Sequence, residues 1–100
     1  MIILYVPCGS EDEAKEIARA LVEEKMIACA NIHTSESIYE WKGSTVEGNE
    51  WVLLLKTVEA RYGDVLKRIK ELHSYETPCI MRIPVTANSE FEMWVKKQCS

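Results

Sequence analysis

Two unbroken apolar runs, Ile2-Ile3-Leu4-Tyr5-Val6 and Trp51-Val52-Leu53-Leu54-Leu55, limit what this chain can fold into. Each is too short for an ordinary helix, and the first is bounded by Pro7 and Gly9, so both read as strands. A strand without a polar face belongs in the middle of a sheet, covered on both sides. A chain of 100 residues has room for one modest core, so residues 1–100 read as a single domain built around these two strands.

The intervening segments supply the rest of the order. Ser10 and Glu13 form a capping-box pattern, and Ala14, Ile17, Ala18, Leu21 and Val22 recur at helical spacing up to about Lys25. Residues 28–41 alternate, with Ala28, Ala30 and Ile32 on one parity and Cys29, Asn31 and His33 on the other, and describe a long half-exposed strand. Turn residues between Lys42-Gly43 and Gly48-Asn49 predict a hairpin into the second apolar run. A second helix presents Val58, Tyr62, Val65, Leu66, Ile69 and Leu72 on one face. A strand over residues 79–85, interrupted by Pro84, and a last helix capped at Asn88 or Ser89, with Phe91, Trp94 and Val95 as its apolar stripe, complete the chain.

This order is βαββαβ plus a C-terminal helix, an α+β, ferredoxin-like split βαβ sandwich with a long hairpin between its second and third strands. That topology puts the first and third strands in the centre, which suits the two apolar runs. It leaves the alternating strand and the proline-bearing strand on the edges, where such strands are tolerated. A long edge with few charges and with Tyr39, Trp41 and Trp51 around its hairpin predicts an obligate homo-oligomer.

Several function classes are disfavoured at once. The net charge of −4, with basic residues interleaved among acids, offers no footprint for nucleic acid. The longest apolar stretch, residues 1–7, is far short of a membrane span and lacks the flanks of a signal peptide, which predicts a cytoplasmic protein with no membrane partner. No nucleophile elbow, phosphate loop, zincin helix or dinucleotide fingerprint occurs, so an enzyme is not expected and no residue is assigned a catalytic role. No organic cofactor is indicated either.

Chemistry concentrates in His73-Ser74-Tyr75-Glu76-Thr77-Pro78, a loop between the second helix and the last strand. The topology sets the fourth strand antiparallel to the first, which predicts Cys79 beside Cys8 with His73 approaching the same end of the sheet. Two thiols and an imidazole suit copper(I) or zinc. Cys29 is expected at that same end on the opposite edge, reaching a neighbouring subunit's loop in a cyclic oligomer. Each residue has a plainer reading too: the cysteines as small buried hydrophobes, His73 as a cation at a helix C-terminus, Tyr75 as a packing anchor, Lys56 as a snorkelling strand-end lysine.

The chain resembles the CutA divalent-cation tolerance proteins over nearly its whole length. The resemblance is carried by Glu24-Lys25, Ala28-Cys29-Ala30-Asn31-Ile32, Ser37-Ile38-Tyr39 with Trp41 and Gly43, Glu50 with Leu54, Lys56 and Thr57, and His73-Ser74-Tyr75-Glu76-Thr77-Pro78. It implies a homotrimer, akin in architecture to the nitrogen-regulatory signalling trimers, associated with tolerance to copper and other divalent metals. The chain has Ser74 where that family usually has proline, and Cys79 where an acid is common. It has Val6 near a family cysteine linked to copper, with Cys8 two positions on. Only His73 carries over directly as a metal-linked residue. The expected function is a metal-responsive binding trimer using His73, Cys79, Cys8 and Cys29. The alternative is a small-ligand sensor whose cleft is lined by Lys56, Tyr75, Glu76, Asn31, Tyr39 and Trp41. Proton transfer by His73 and Glu76 ranks last.

Overall fold

The computed structural model describes residues 1–100 and orders them as β1 (Ile2–Cys8), α1 (Glu11–Glu23), β2 (Cys29–Trp41), β3 (Ser44–Thr57), α2 (Tyr62–Leu72), β4 (Met81–Pro84) and α3 (Ser89–Gln98). A single turn of 3-10 helix, Glu59–Arg61, leads into α2. One four-stranded sheet runs in the order β2-β3-β1-β4, with every neighbouring pair antiparallel, so the two apolar strands do occupy the centre. No helix is long and apolar enough to cross a membrane.

The core forms because one parity of the central strands meets the apolar stripes of two helices. Ile2, Leu4, Val6 and Cys8 of β1, with Leu53 and Leu55 of β3, bury against Ala14, Ile17 and Leu21 of α1 and Val65 and Ile69 of α2. A satellite cluster of Ala28, Val95 and Cys99 seats α3, and the Arg61 Nε donates to the Cys99 carbonyl at 2.8 Å, satisfying a helix-end acceptor.

Coverage on both faces, expected from the unbroken runs, is not what a single chain provides. Burial along β1 alternates strictly, and the other parity forms an open sheet face on which Ile3 pairs with Ile83, and Tyr5 with Met81 and Leu54. Met81 is 48 % and Ile83 40 % exposed. α1 and α2 lie against the opposite parity, and α3, seated on Ala28, sets Phe91 beside Lys56 at the margin, so Met81 and Ile83 of this second face stay exposed.

The hairpin is longer, and its turn tighter, than the sequence suggests. Only Lys42 and Gly43 turn, at φ of 51° and 83°, the pair of positive values that matches a two-residue loop to the right-handed twist of the strands. Gly48 and Asn49, expected in the turn, lie inside the ladder opposite Ser37 and Glu36. Because β1 ends at Cys8 opposite Trp51, residues 35–50 extend beyond the sheet as a free arm of about 23 Å at ~3.3 Å per residue. The molecule is correspondingly elongated, at 45 × 25 × 21 Å. Trp51 packs half-buried on the core, leaving Tyr39 and Trp41 as the exposed aromatics of the arm. The last strand is shorter than expected, beginning at Met81 rather than at Cys79.

A methyl group added at Gly43 meets no neighbour within 4 Å, so Gly43→Ala isolates the conformational cost of a positive φ, about 1 kcal/mol. We expect that loss to fall on the arm. Hydrogen exchange of residues 37–48 should quicken several-fold while β1 amides stay protected, and uniform acceleration across the sheet would contradict an independently opening arm.

Candidate functional site

The loop after α2 is held by its first residues. His73 is the C-cap, and its N–H closes the helix onto the Ile69 carbonyl at 2.8 Å. Its imidazole is fully buried: Nε2 donates to the Pro7 carbonyl at 2.8 Å, and Nδ1 accepts the Tyr75 N–H at 3.1 Å. Those two partners fix the Nε2–H tautomer, so the ring serves as a bridge between β1 and the loop and not as a cation on the helix end.

Glu13 completes the connection. Its N–H donates to the Ser10 Oγ at 3.1 Å, as the capping-box pattern predicts. The carboxylate, however, reaches past Ser10, accepting the Gly9 N–H on Oε1 (3.4 Å) and the Ser74 N–H on Oε2 (2.9 Å). It also stands 3.9 Å from His73 Nδ1. The ligand atoms of Cys8, Glu13 and His73 all lie within 4.8 Å of one another. Burial, followed by the Glu13 and Glu50 carboxylates, pushes the Cys8 thiol up to about 12. The negative potential that opposes a thiolate there would favour a bound cation.

Beside this trio lies a cleft of about 460 Å³ between the loop and the arm, lined among others by Tyr39, Trp41, Glu50, Tyr75 and Cys79. The Tyr75 hydroxyl donates to Glu50 Oε2 at 2.7 Å, and its ring sits 4.8 Å from the His73 ring. Burial and the Glu50 carboxylate hold the phenol well above its usual range. Gly9 permits this approach, since a Cβ there would be 3.2 Å from Tyr75 Cε1. At the rim, Lys42 Nζ is 4.0 Å from Glu76 Oε2 and 5.8 Å from the centre of the Trp41 ring.

The sequence-predicted residues therefore divide into three groups. Cys8 and His73 converge, with Glu13 and not Cys79 as the third donor. Cys79 is exposed on the cleft, because the β1–β4 ladder ends at Tyr5 opposite Met81 and releases the chain before it reaches Cys8. Tyr75, Glu76, Tyr39 and Trp41 do share the cleft. Cys29, Asn31 and Lys56 do not. β2 and β1 both run antiparallel to β3, so the start of β2 lies beside the start of β1. Cys29 pairs with Lys56, which pairs with Ile3, about 16 Å along the strand from Cys8, at the opposite end of the sheet from the one expected. Asn31 faces Leu54 two pairs further in, and Lys56 lies over the Phe91 ring at 5.6 Å. Glu13 and Glu50 were missed as site residues. Their signals in the sequence are the capping box for Glu13 and, for Glu50, a place among the residues that carry the family resemblance, neither of which assigns a site role.

The family model described as CutA1 divalent ion tolerance protein matches residues 2–98. The chain belongs to this CutA family. It is 36 % identical over 98 residues to the divalent-cation tolerance protein CutA of Thermotoga maritima, covering 97 % of each chain. The solved structure of the periplasmic divalent cation tolerance protein CutA from Archaeoglobus fulgidus superposes with a TM-score of 0.96 at 33 % identity, covering 100 % of both chains. The PII-like protein CutA from Nostoc sp. PCC 7120, solved in apo form, gives 0.93 at 33 % identity, covering 100 % of this chain and 98 % of that one. The α+β, ferredoxin-like topology read from the apolar runs is thus the architecture of the CutA family.

Two measurements check the site's interior. The folded protein keeps the Cys8 proton that the unfolded chain releases above the ordinary value of 9.0, so this contribution to stability is complete below pH 9 and is lost as pH rises towards about 12. In urea unfolding at stepped pH, Cys8→Val should flatten the alkaline fall by up to about 1.4 kcal/mol per pH unit, and unchanged slopes would contradict the assignment. Glu13→Ala should cost about 1 kcal/mol by exchanging the Gly9 and Ser74 bonds to the carboxylate for bonds to water, and Ser74 amide exchange should accelerate with it.

Proposed function

We propose that this CutA-family chain is a non-catalytic homotrimer that binds a divalent or soft metal ion, copper foremost, at Cys8, Glu13 and His73. The supporting observation is the convergence of a sulfur, a carboxylate and an imidazole within 4.8 Å in a buried, electronegative pocket. The donor types fit a metal, and each already has a partner within the protein. A bound ion would supply the positive charge that the two carboxylates and the thiol's surroundings lack. For the trio to turn inward, His73 Nδ1 must release the Tyr75 N–H, and Glu13 must release the Gly9 or Ser74 N–H. Occupancy would thereby loosen the loop at the end that forms the cleft wall. The groups around the loop's start offer no poised base or nucleophile: both His73 nitrogens are engaged, and the Tyr75 phenol and the Cys8 thiol of β1 are held protonated.

Trimer formation is supported by the unpartnered apolar parity of the sheet, Ile3, Tyr5, Met81 and Ile83, and by the free arm, whose Ile38 is 72 % exposed. The cleft favours a second reading, a small-ligand sensor in which the arm and loop respond to an occupant. Sedimentation should give about three times 11.5 kDa, and Ile83→Asp should shift the protein to a smaller species. Copper(I) and zinc titrated into reduced protein should bind wild type and Cys79→Ser alike, with losses of about tenfold or more in Cys8→Ser and His73→Ala. Equal affinity in all four proteins would reject the trio as the metal site.

A further inference from the structure

We propose that the arm–loop cleft binds a small organic cation, an ammonium compound held between the faces of Tyr39, Trp41 and Tyr75 and paired with Glu50. This deepens the second reading above by naming the class of ligand. The volume of about 460 Å³ lies within the ordinary range of small-molecule sites, and three of its nine lining residues, Tyr39, Trp41 and Tyr75, are aromatic, a side-chain class whose ring quadrupole attracts positive charge. The charged side chains lining it are Glu50 and Glu76, with no lysine, arginine or histidine among them, so phosphates and carboxylates meet repulsion. Glu50 spends Oε2 on the Tyr75 hydroxyl and takes no protein donor on Oε1, which leaves an acceptor for a cationic N–H or a counter-charge for a quaternary centre.

The chain itself already displays the mode of recognition. The Lys42 ammonium at the rim stands over the Trp41 ring at 5.8 Å and within 4.0 Å of the Glu76 carboxylate, an aromatic face and an acid together. A bare metal ion is disfavoured in the cleft, because aromatic faces offer no lone pairs and the convergent donors lie behind Tyr75 in the buried trio. The two sites thus separate by chemistry: donor atoms inside, ring faces outside.

Choline and its uncharged isostere 3,3-dimethyl-1-butanol, titrated into the full-length reduced protein at constant ionic strength, test the charge requirement. The Trp41 indole N–H resonance and calorimetry give the readout, and circular dichroism verifies that each variant is folded. Choline should move the Trp41 signal and bind at least tenfold more tightly than the neutral isostere. Glu50→Gln, which keeps an acceptor for Tyr75, should weaken choline about tenfold, and Trp41→Leu by about three- to thirtyfold in calorimetry. Lys42→Ala should tighten binding several-fold by vacating the rim, whereas Lys70→Ala on the exposed side of α2 should change nothing. Equal binding of the isostere, preference for acetate or phosphate, or choline binding indifferent to Glu50→Gln and Trp41→Leu would overturn the organic-cation assignment while leaving other ligands for the cleft. No response to any of these probes would overturn the ligand-sensing reading as well. The copper titration is independent of both results.

Discussion

The Glu13 carboxylate is the contact on which the rest of the site depends. It belongs to the first turn of α1, yet its two oxygens take backbone N–H groups from Gly9, at the end of β1, and from Ser74, in a loop 61 residues further along the chain. Each of these is a charge-assisted hydrogen bond, stronger than a bond between neutral groups. With Ser74 fixed, the neighbouring His73 ring inserts under the loop, Tyr75 is brought over Gly9, and its hydroxyl reaches Glu50 on β3. Helix, central strand, loop and arm base are joined by one chain of hydrogen bonds, and the cleft wall is its last member.

The sheet divides the molecule into a finished side and an unfinished one. On the helix side every second residue of β1 is wholly buried, and the aliphatic side chains interdigitate with α1 and α2. On the other side the same strands present Ile3, Tyr5, Met81 and Ile83 with no covering layer, and the arm leaves the sheet altogether. Both features are what the proposed trimer would use, and the cleft, bordered by the arm, lies beside them.

Much of this was legible in the sequence, and the failures have physical causes. Strand order followed from the unbroken apolar runs, because only central strands need both parities apolar, and the helices followed from their 3.6-residue periodicity. Coverage of the second face was expected because an unbroken apolar run looks the same whether one or both of its faces are packed within the chain, and here Met81 and Ile83 stay exposed. The turn was misplaced because Gly43 and Gly48 look alike in sequence, whereas only Gly43 takes a positive φ. Cys29 was assigned to the wrong end of the sheet because register and direction reside in pairings, not in residue types. Glu13 looked like an ordinary helix cap, since nothing local announces a bond to Ser74.

The pairing pattern also sets an order of assembly. β2 and β3 are closed by two residues, so their ladder can form from local contacts within microseconds. β4 has a single neighbour, β1, and joins positions about eighty residues apart, at the entropic cost of closing nearly the whole chain. The edge with the largest closure cost is therefore the one that follows the His73 loop. A chain still lacking that edge would hold the loop only at its start, through the His73–Pro7 and Ser74–Glu13 bonds, so the last strand is what secures the loop's far end.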